Sequence, residues 1–336
     1  MPTSTASSRN RKLYLFALGP LLAGVVLSLF GPSGEIAPVR FFEAMLRPDS
    51  GSPESLIFWS LRIPRTLAVL LCGAALSAAG LLLQRTLHND LASPGILGIN
   101  AGAGFFALLS GLLFPGLLLA RGLLAFAGAL GAVAFVLLLS HRIGSSKSSI
   151  LLLGIAISTM MTALSNGVVT AFPETVPDKV AFSMGGFHAV SGRQIIFSAC
   201  AAIPALILCL FLHRGIGMLA LGDEACFGLG LDPRKMRAVT LSCASVLAAA
   251  AVSICGLLGF VGLIVPHIAR KLIGGESGRL IPFCALAGGG FVTLCDLIAR
   301  TVFSPYELPT GILLSFLGGP FFVWLLLKKK EAHKND

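Results

Sequence analysis

Ten apolar runs separated by short polar connections leave this chain few ways to fold. They lie at about residues 13–30, 66–83, 95–114, 117–139, 149–171, 194–212, 238–258, 260–273, 280–300 and 310–327. A bilayer core about 30 Å thick needs roughly 20 apolar residues per helical span, so each run is a candidate crossing. Hydrophobic residues make up 55% of the 336 and charged residues 12%, with a mean hydropathy of +0.89. That balance excludes a soluble domain of this size. No polar stretch is long enough for a separate soluble unit. The expectation is therefore one domain over residues 1–336, all-α and polytopic, with about ten transmembrane helices.

The net charge of +10 does not point to nucleic acid, because Lys and Arg lie between apolar runs with no interleaved aromatic pattern. Orientation accounts for them better. With a cytoplasmic N-terminus, the inside connections and the termini hold seventeen of the 25 Lys and Arg residues and the outside connections eight. This inside excess supports ten spans with both ends in the cytoplasm. Leu13 to Phe30 follows Arg9, Arg11 and Lys12 as a signal peptide would, but the many later spans favour an uncleaved first crossing.

Ala238 to Ala269 is too long for one span and short for two, while the basic clusters flanking it belong on the same side. The chain must go out and return, turning at Gly256-Leu257-Leu258-Gly259, with one arm shortened or interrupted. Gly98, Gly102 and Gly104, and Gly288 to Gly290, allow close helix approach. Seven of the eight cysteines lie within or at the ends of apolar segments and no CxxC pair occurs, so they read as small buried hydrophobes. No internal repeat is evident.

One polar stretch looks built. In Leu219 to Val239 (LALGDEACFGLGLDPRKMRAV), Asp223 and Glu224 suit a first helical turn, Gly228 to Gly230 a stop, and Asp232-Pro233 an N-cap with proline at N1. The pattern predicts two short helices folded on each other. Either a second protein grips this knob or it is simply an ordered connector.

Other patterns converge with it. Arg62-Ile63-Pro64-Arg65 opens the second span, HNDLASPGILG runs from His88 to Gly98, and GFVGLIVPHIAR runs from Gly259 to Arg270. With Asp296 to Arg300 and Glu307-Leu308-Pro309-Thr310-Gly311, they resemble the permease family of ATP-binding-cassette (ABC) importers for iron-siderophores, haem and vitamin B12. The resemblance covers nearly the whole chain. It implies a second permease subunit, identical or a paralogue, two ATP-binding subunits and an extracytoplasmic substrate-binding protein. It also implies ATPase-coupling helices at Gly222, Asp223, Glu224, Ala225, Gly228, Leu229 and Gly230. The chain is then a transport subunit, not an enzyme, and holds no cofactor. It lacks a GxxxxGK[ST] loop, so the ATP and Mg belong to a partner.

The same resemblance assigns docking of the binding protein to Arg62, Arg65 and Arg300. Interfacial anchoring is the rival for the first two, and neutralisation by Asp296, four residues earlier on the same helix face, for Arg300. It assigns a cytoplasmic gate to Asn89, Leu91, Lys147 and Ser148, in turns at Asn89 to Leu91 and Ser145 to Ser149, with ordinary polar turns as the alternative. The family usually has proline where this chain has Asp90, which adds a charge at the proposed exit. His267, Met160, Met161, Met184 and His188 do not have metal-site spacing. Phe182 to Gln194 lies outside, at the entrance. The substrate implied is an iron(III)-siderophore complex, since LASPGILGIN is closest to siderophore and ferric-citrate permeases, with haem or vitamin B12 as alternatives. An intramembrane enzyme built on Asp296 and His267 is the remote alternative, without a catalytic motif around either residue.

Overall fold

The structure, a computed structural model, describes residues 4–30, 38–46, 52–143, 147–188, 190–302 and 306–332. Among them every regular element is helical. In chain order these are α1 (Ser4–Phe30), α2 (Pro38–Leu46), α3 (Pro53–Ile57), α4 (Ile63–Leu87), α5 (Ile99–Leu113), α6 (Leu118–Ile143), α7 (Lys147–Ala171) and α8 (Val176–Met184). There follow α9 (Gly192–Phe211), α10 (His213–Leu219), α11 (Asp223–Gly228), α12 (Pro233–Cys255), α13 (Val261–Ile273), α14 (Ser277–Thr301) and α15 (Thr310–Ala332).

Each of the ten apolar runs falls on one of these helices. Among the described residues six helices are long and apolar enough to cross a membrane: Pro53–Leu87, Leu118–Arg142, Lys147–Ala171, Gly192–Phe211, Pro233–Cys255 and Ser277–Thr301. Leu18–Phe30, Ile99–Leu113 and Thr310–Leu325 are shorter apolar helices. The second run is longer than its apolar core suggests, because α3 and a π-helical turn at Phe58–Arg62 lead into α4 without a break. The connection before it carries α2, although residues 31–37 and 47–51 lie outside the described set.

α4 and α12 form the middle of the bundle, with 78% and 72% of their apolar windows buried. Glycine makes this possible. A Cβ built on Gly80 would sit 2.0 Å from the Gly262 carbonyl oxygen of α13, and one on Gly73 2.4 Å from that of Gly288 in α14. Backbones this close exclude any side chain larger than hydrogen, and the exchange for lost side-chain area is extensive van der Waals contact along the crossing. Gly102 meets Gly128 between α5 and α6 in the same way. At the other extreme, only 22% of the α7 window is buried. Seven of the eight cysteines are buried and Cys200 is exposed; all are free thiols.

The expected turn between α12 and α13 spans residues 256–260, and α13, at 13 residues, is the shortened arm. Its exposed backbone is met by the last turn of α8 and the segment after it. Leu257 N donates to Phe182 O (3.0 Å), and Gly186 N donates to Cys255 O (2.8 Å). Gly256 adopts φ +66° there, with Phe182 O at 2.5 Å from where a Cβ would stand, so glycine is required twice over. The stretch expected to shape an entrance thus closes a neighbouring loop.

Candidate functional site

Charged residues gather at the two opposite ends of the bundle. At one end is the knob. Asp232 caps α12 as expected, its side chain accepting from Arg234 N (2.9 Å) and Lys235 N (3.3 Å) with Pro233 at N1. The helix it opens is the long α12, not a second short one. The short pair is α10 and α11, and α10 was not foreseen because His213-Arg214 ends the apolar run and Gly215 and Gly217 are weak helix formers. Leu231 N returns to Cys226 O (2.9 Å), folding α11 back on the start of α12 over the fully buried Cys226. Gly222 (φ +113°) and Gly230 (φ +77°) make the two bends. Glu224 is exposed, and so are Leu221 (71%), Phe227 (63%) and Leu229 (60%). The apolar tip formed by Leu221 and Phe227 went unread in the sequence, because one exposed Leu or Phe carries no signal until its neighbours are known to be exposed as well.

Asp223 ties the knob to the bundle. Arg237 Nη2, on the second turn of α12, donates to both of its oxygens (2.8 and 2.7 Å), and Lys147 Nζ lies 3.4 Å from Oδ1. The hydrogen bond from Arg237 is the main reason the Asp223 carboxyl is held below its ordinary value. His88 closes α4 in the left-handed conformation (φ 51°) beside this cluster. Burial, then the Lys147 charge, pushes its imidazole down.

The proposed gate residues stand close by. Asn89 Oδ1 accepts from Leu91 N (2.9 Å), an Asx-turn, and Leu91 is exposed. Asp90, where the related pattern has proline, is 3.3 Å from Arg270 Nη2 of α13. Arg270 Nη1 in turn donates to Gln84 Oε1 (2.6 Å), whose Nε2 donates to Gly262 O (2.8 Å). The departure therefore has a partner, a tie from the end of α4 to α13. Lys147 and Ser148 do not lie in a turn but in the first turn of α7; Ser145 lies outside the described residues.

At the opposite end Arg62 lies beside Arg300, and Arg65 and Arg300 meet Asp296, which is 1% exposed. Arg65 grips it with two bonds, Nε to Oδ2 (3.1 Å) and Nη2 to Oδ1 (3.0 Å), and Thr310 Oγ1 donates to Oδ1 (2.9 Å). Arg300 Nε is 3.9 Å from Oδ2, while its Nη2 donates to Ser28 Oγ (2.9 Å). Arg62, 5% exposed, donates to Leu29 O. Helix-face spacing pointed to Arg300 as the partner of Asp296, but Arg65 supplies the close fork. All three guanidinium groups make bonds inside the chain rather than standing free. Arg65 Nη1 also holds Glu307 Oε2 (2.8 Å), which His188 Nδ1 approaches at 3.0 Å. Burial works to raise the Glu307 carboxyl; the Arg65 bond and charge, then His188, outweigh it and hold it below the usual range.

These two depressed carboxyls give a pH dependence of definite sign. Their folded values lie below the unfolded ones, so their stabilisation is complete above about pH 4–4.5 and is lost as pH falls through the depressed values. The unfolding temperature in detergent is expected to decline slightly as pH falls below about 6.5, where unfolded His88 takes up a proton that the folded site resists, and to drop further below about pH 4, the second drop less steep in Asp223→Asn. Equal slopes in wild type and variant would contradict the assignment.

A cavity of about 280 Å³ opens beside this end, lined by Arg121, Phe182, Met184, His188, Gln194 and Ser253 among others. Among the described residues no group of three or more His, Cys, Asp or Glu gathers as a metal site, and Asp296 and His267 stand with different partners.

Comparison with known proteins matches this architecture. The Fe(3+)-citrate import system permease of Bacillus subtilis is 33% identical over 325 residues, covering 97% of each chain. The vitamin B12 import system permease of Escherichia coli O157:H7 is 37% identical over 313 residues, 92% of each. A solved metal-chelate type ABC transporter in an inward-facing conformation superposes with a TM-score of 0.83 at 27% identity, over 95% of this chain and 99% of that one. Residues 20–328 match the FecCD transport family, and the chain belongs to that family.

Proposed function

We propose that the chain is the membrane-spanning permease subunit of an ABC importer that moves an iron(III) chelate, of the siderophore class, into the cytoplasm. The observation that carries this reading is the knob. It is a capped, braced projection whose tip exposes Leu221, Phe227, Leu229 and Glu224, on a chain with no phosphate loop of its own. Exposed apolar groups on a rigid mount suit a protein partner, and a stiff mount transmits displacement that a loose loop would absorb. In this reading Gly222 to Gly230 dock one of two ATP-binding subunits. The knob end is cytoplasmic, as are both termini, and α1, α4, α5, α6, α7, α9, α12, α13, α14 and α15 make ten crossings. A second permease subunit, identical or a paralogue, covers the exposed face of α7.

Asn89, Leu91, Lys147 and Ser148 form the gate at that end, with the Asp90–Arg270 tie holding it to α13. At the other end Arg62, Arg65 and Arg300 underlie the docking surface for the substrate-binding protein. A carboxylate of that protein takes the place of Glu307 on Arg65 Nη1. The likeness to a vitamin B12 permease supports a second reading of the cargo, cobalamin.

The test is uptake into proteoliposomes that hold the permease with its ATPase and binding-protein partners. ATP-dependent entry of ferric siderophore is expected, and Glu224→Lys is expected to cut ATPase capture at least about tenfold, a loss of about 1.4 kcal/mol. Entry at full rate without nucleotide would overturn the reading. Entry of cobalamin in place of the siderophore would select the second cargo.

A further inference from the structure

Asp223 is the one carboxylate through which α11 touches two other helices. Arg237 holds both of its oxygens from α12, and Lys147 meets Oδ1 from the first residue of α7. The groups that face it are these two cations and His88 at the end of α4. The two cations differ in kind. Arg237 has a side chain only 6% exposed, makes two charge-assisted bonds and sits on a helix packed on most of its surface. Its guanidinium is shielded from solvent and fixed by two bonds, although the Asp223 side chain it holds is 43% exposed. Lys147, 29% exposed, reaches Asp223 with one ammonium on a flexible stem at 3.4 Å. Salt and water weaken a contact of that kind, and it re-forms readily.

The helices they belong to differ in the same sense. α12 is core, whereas α7 buries 22% of its apolar window, on the side that carries Gly154 against the Ile96 carbonyl. In the first turn of α7 Ile150 is seated in the core, while Lys147 and Ser148 stay at least partly open to solvent. We infer that Asp223 is a two-strength joint: Arg237 is the positioning residue that anchors the knob to α12, and Lys147 is the releasable contact through which movement of α11 reaches α7. The inference rests on the proposal that α11 docks an ATPase, and adds which residues carry its motion and to which helix.

A double-mutant cycle in the reconstituted complex separates a joint from two independent roles. The quantity read is substrate imported per ATP hydrolysed. Asp223→Asn keeps an acceptor for Arg237 and removes the charge that Lys147 meets; Lys147→Ala removes the other partner from a partly exposed position. Each is expected to lower the ratio about fivefold, and the pair together no more than either alone, the signature of one shared interaction. Arg237→Lys, which loses the fork, is expected to lower both the ratio and the amount of ATPase captured. Losses that multiply in the double variant, or a ratio unchanged in both single variants while ATPase remains bound, overturn the joint and leave the docking proposal standing. A wild-type chain that captures no ATPase overturns both.

Discussion

Replacing Asp296 with alanine is expected to cost the folded protein about 3–5 kcal/mol, the range for removing one member of a buried ion pair. The size of the effect comes from what is left behind. Arg65 and Arg300, with side chains 13% and 14% exposed, lose their shared counter-charge, and Thr310 loses its acceptor. Arg62, 5% exposed, adds a third guanidinium nearby. Arg65 keeps only the half-exposed Glu307, and the Arg300 charge cannot be rehydrated in a packed helix end, so the strain falls on the α4, α14 and α15 contacts. Glu307→Ala is the matched control. Glu307 is 42% exposed and bonds the same Arg65, and its loss is expected to cost under about 1 kcal/mol. Thermal unfolding of the purified variants reads both. An Asp296→Ala protein as stable as Glu307→Ala would mean the cluster is solvated, contrary to its burial.

Gly80→Ala carries the second large effect, through a single methyl group. Its Cβ would lie 2.0 Å from the Gly262 oxygen and 2.4 Å from Gly262 Cα, both backbone atoms that no rotamer change can move. α4 and α13 must separate, and with them the Gln84 bond to Gly262 O that leads to Arg270 and Asp90. Overpacking of this kind costs about 3 kcal/mol, at the upper end of its usual range. Gly131→Ala, with nothing within 4 Å, is expected to stay within about 1 kcal/mol of wild type. Expression level and unfolding temperature of the two alanine variants decide the matter; similar values would show that α13 docks less closely than its backbone positions imply.

The apolar runs located every long helix, because a membrane-length run declares itself locally and needs no knowledge of its neighbours. Asp232-Pro233 and the 256–259 break were legible for the same reason, as caps and glycine turns act over a few residues. Pairings were not. Arg65 meets Asp296 across 231 positions, and nothing near either residue signals the other. Reading along one helix face favoured Arg300, which does lie within 4 Å, but its side chain is also drawn to Ser28. The knob shows both cases: its boundaries were written in Asp223, Gly230 and Asp232, while its bracing by Arg237 and its apolar tip needed the fold.

The turn between α12 and α13 has a consequence for how the chain is made. Its backbone partners, Phe182 and Gly186, precede it by about 70 residues. During synthesis they have left the ribosome well before residues 255–257 emerge, so the turn meets acceptors and donors already waiting. A rearranged gene that delivered the 256–260 turn first would send it toward lipid with those groups bare, and its yield of inserted protein should fall accordingly.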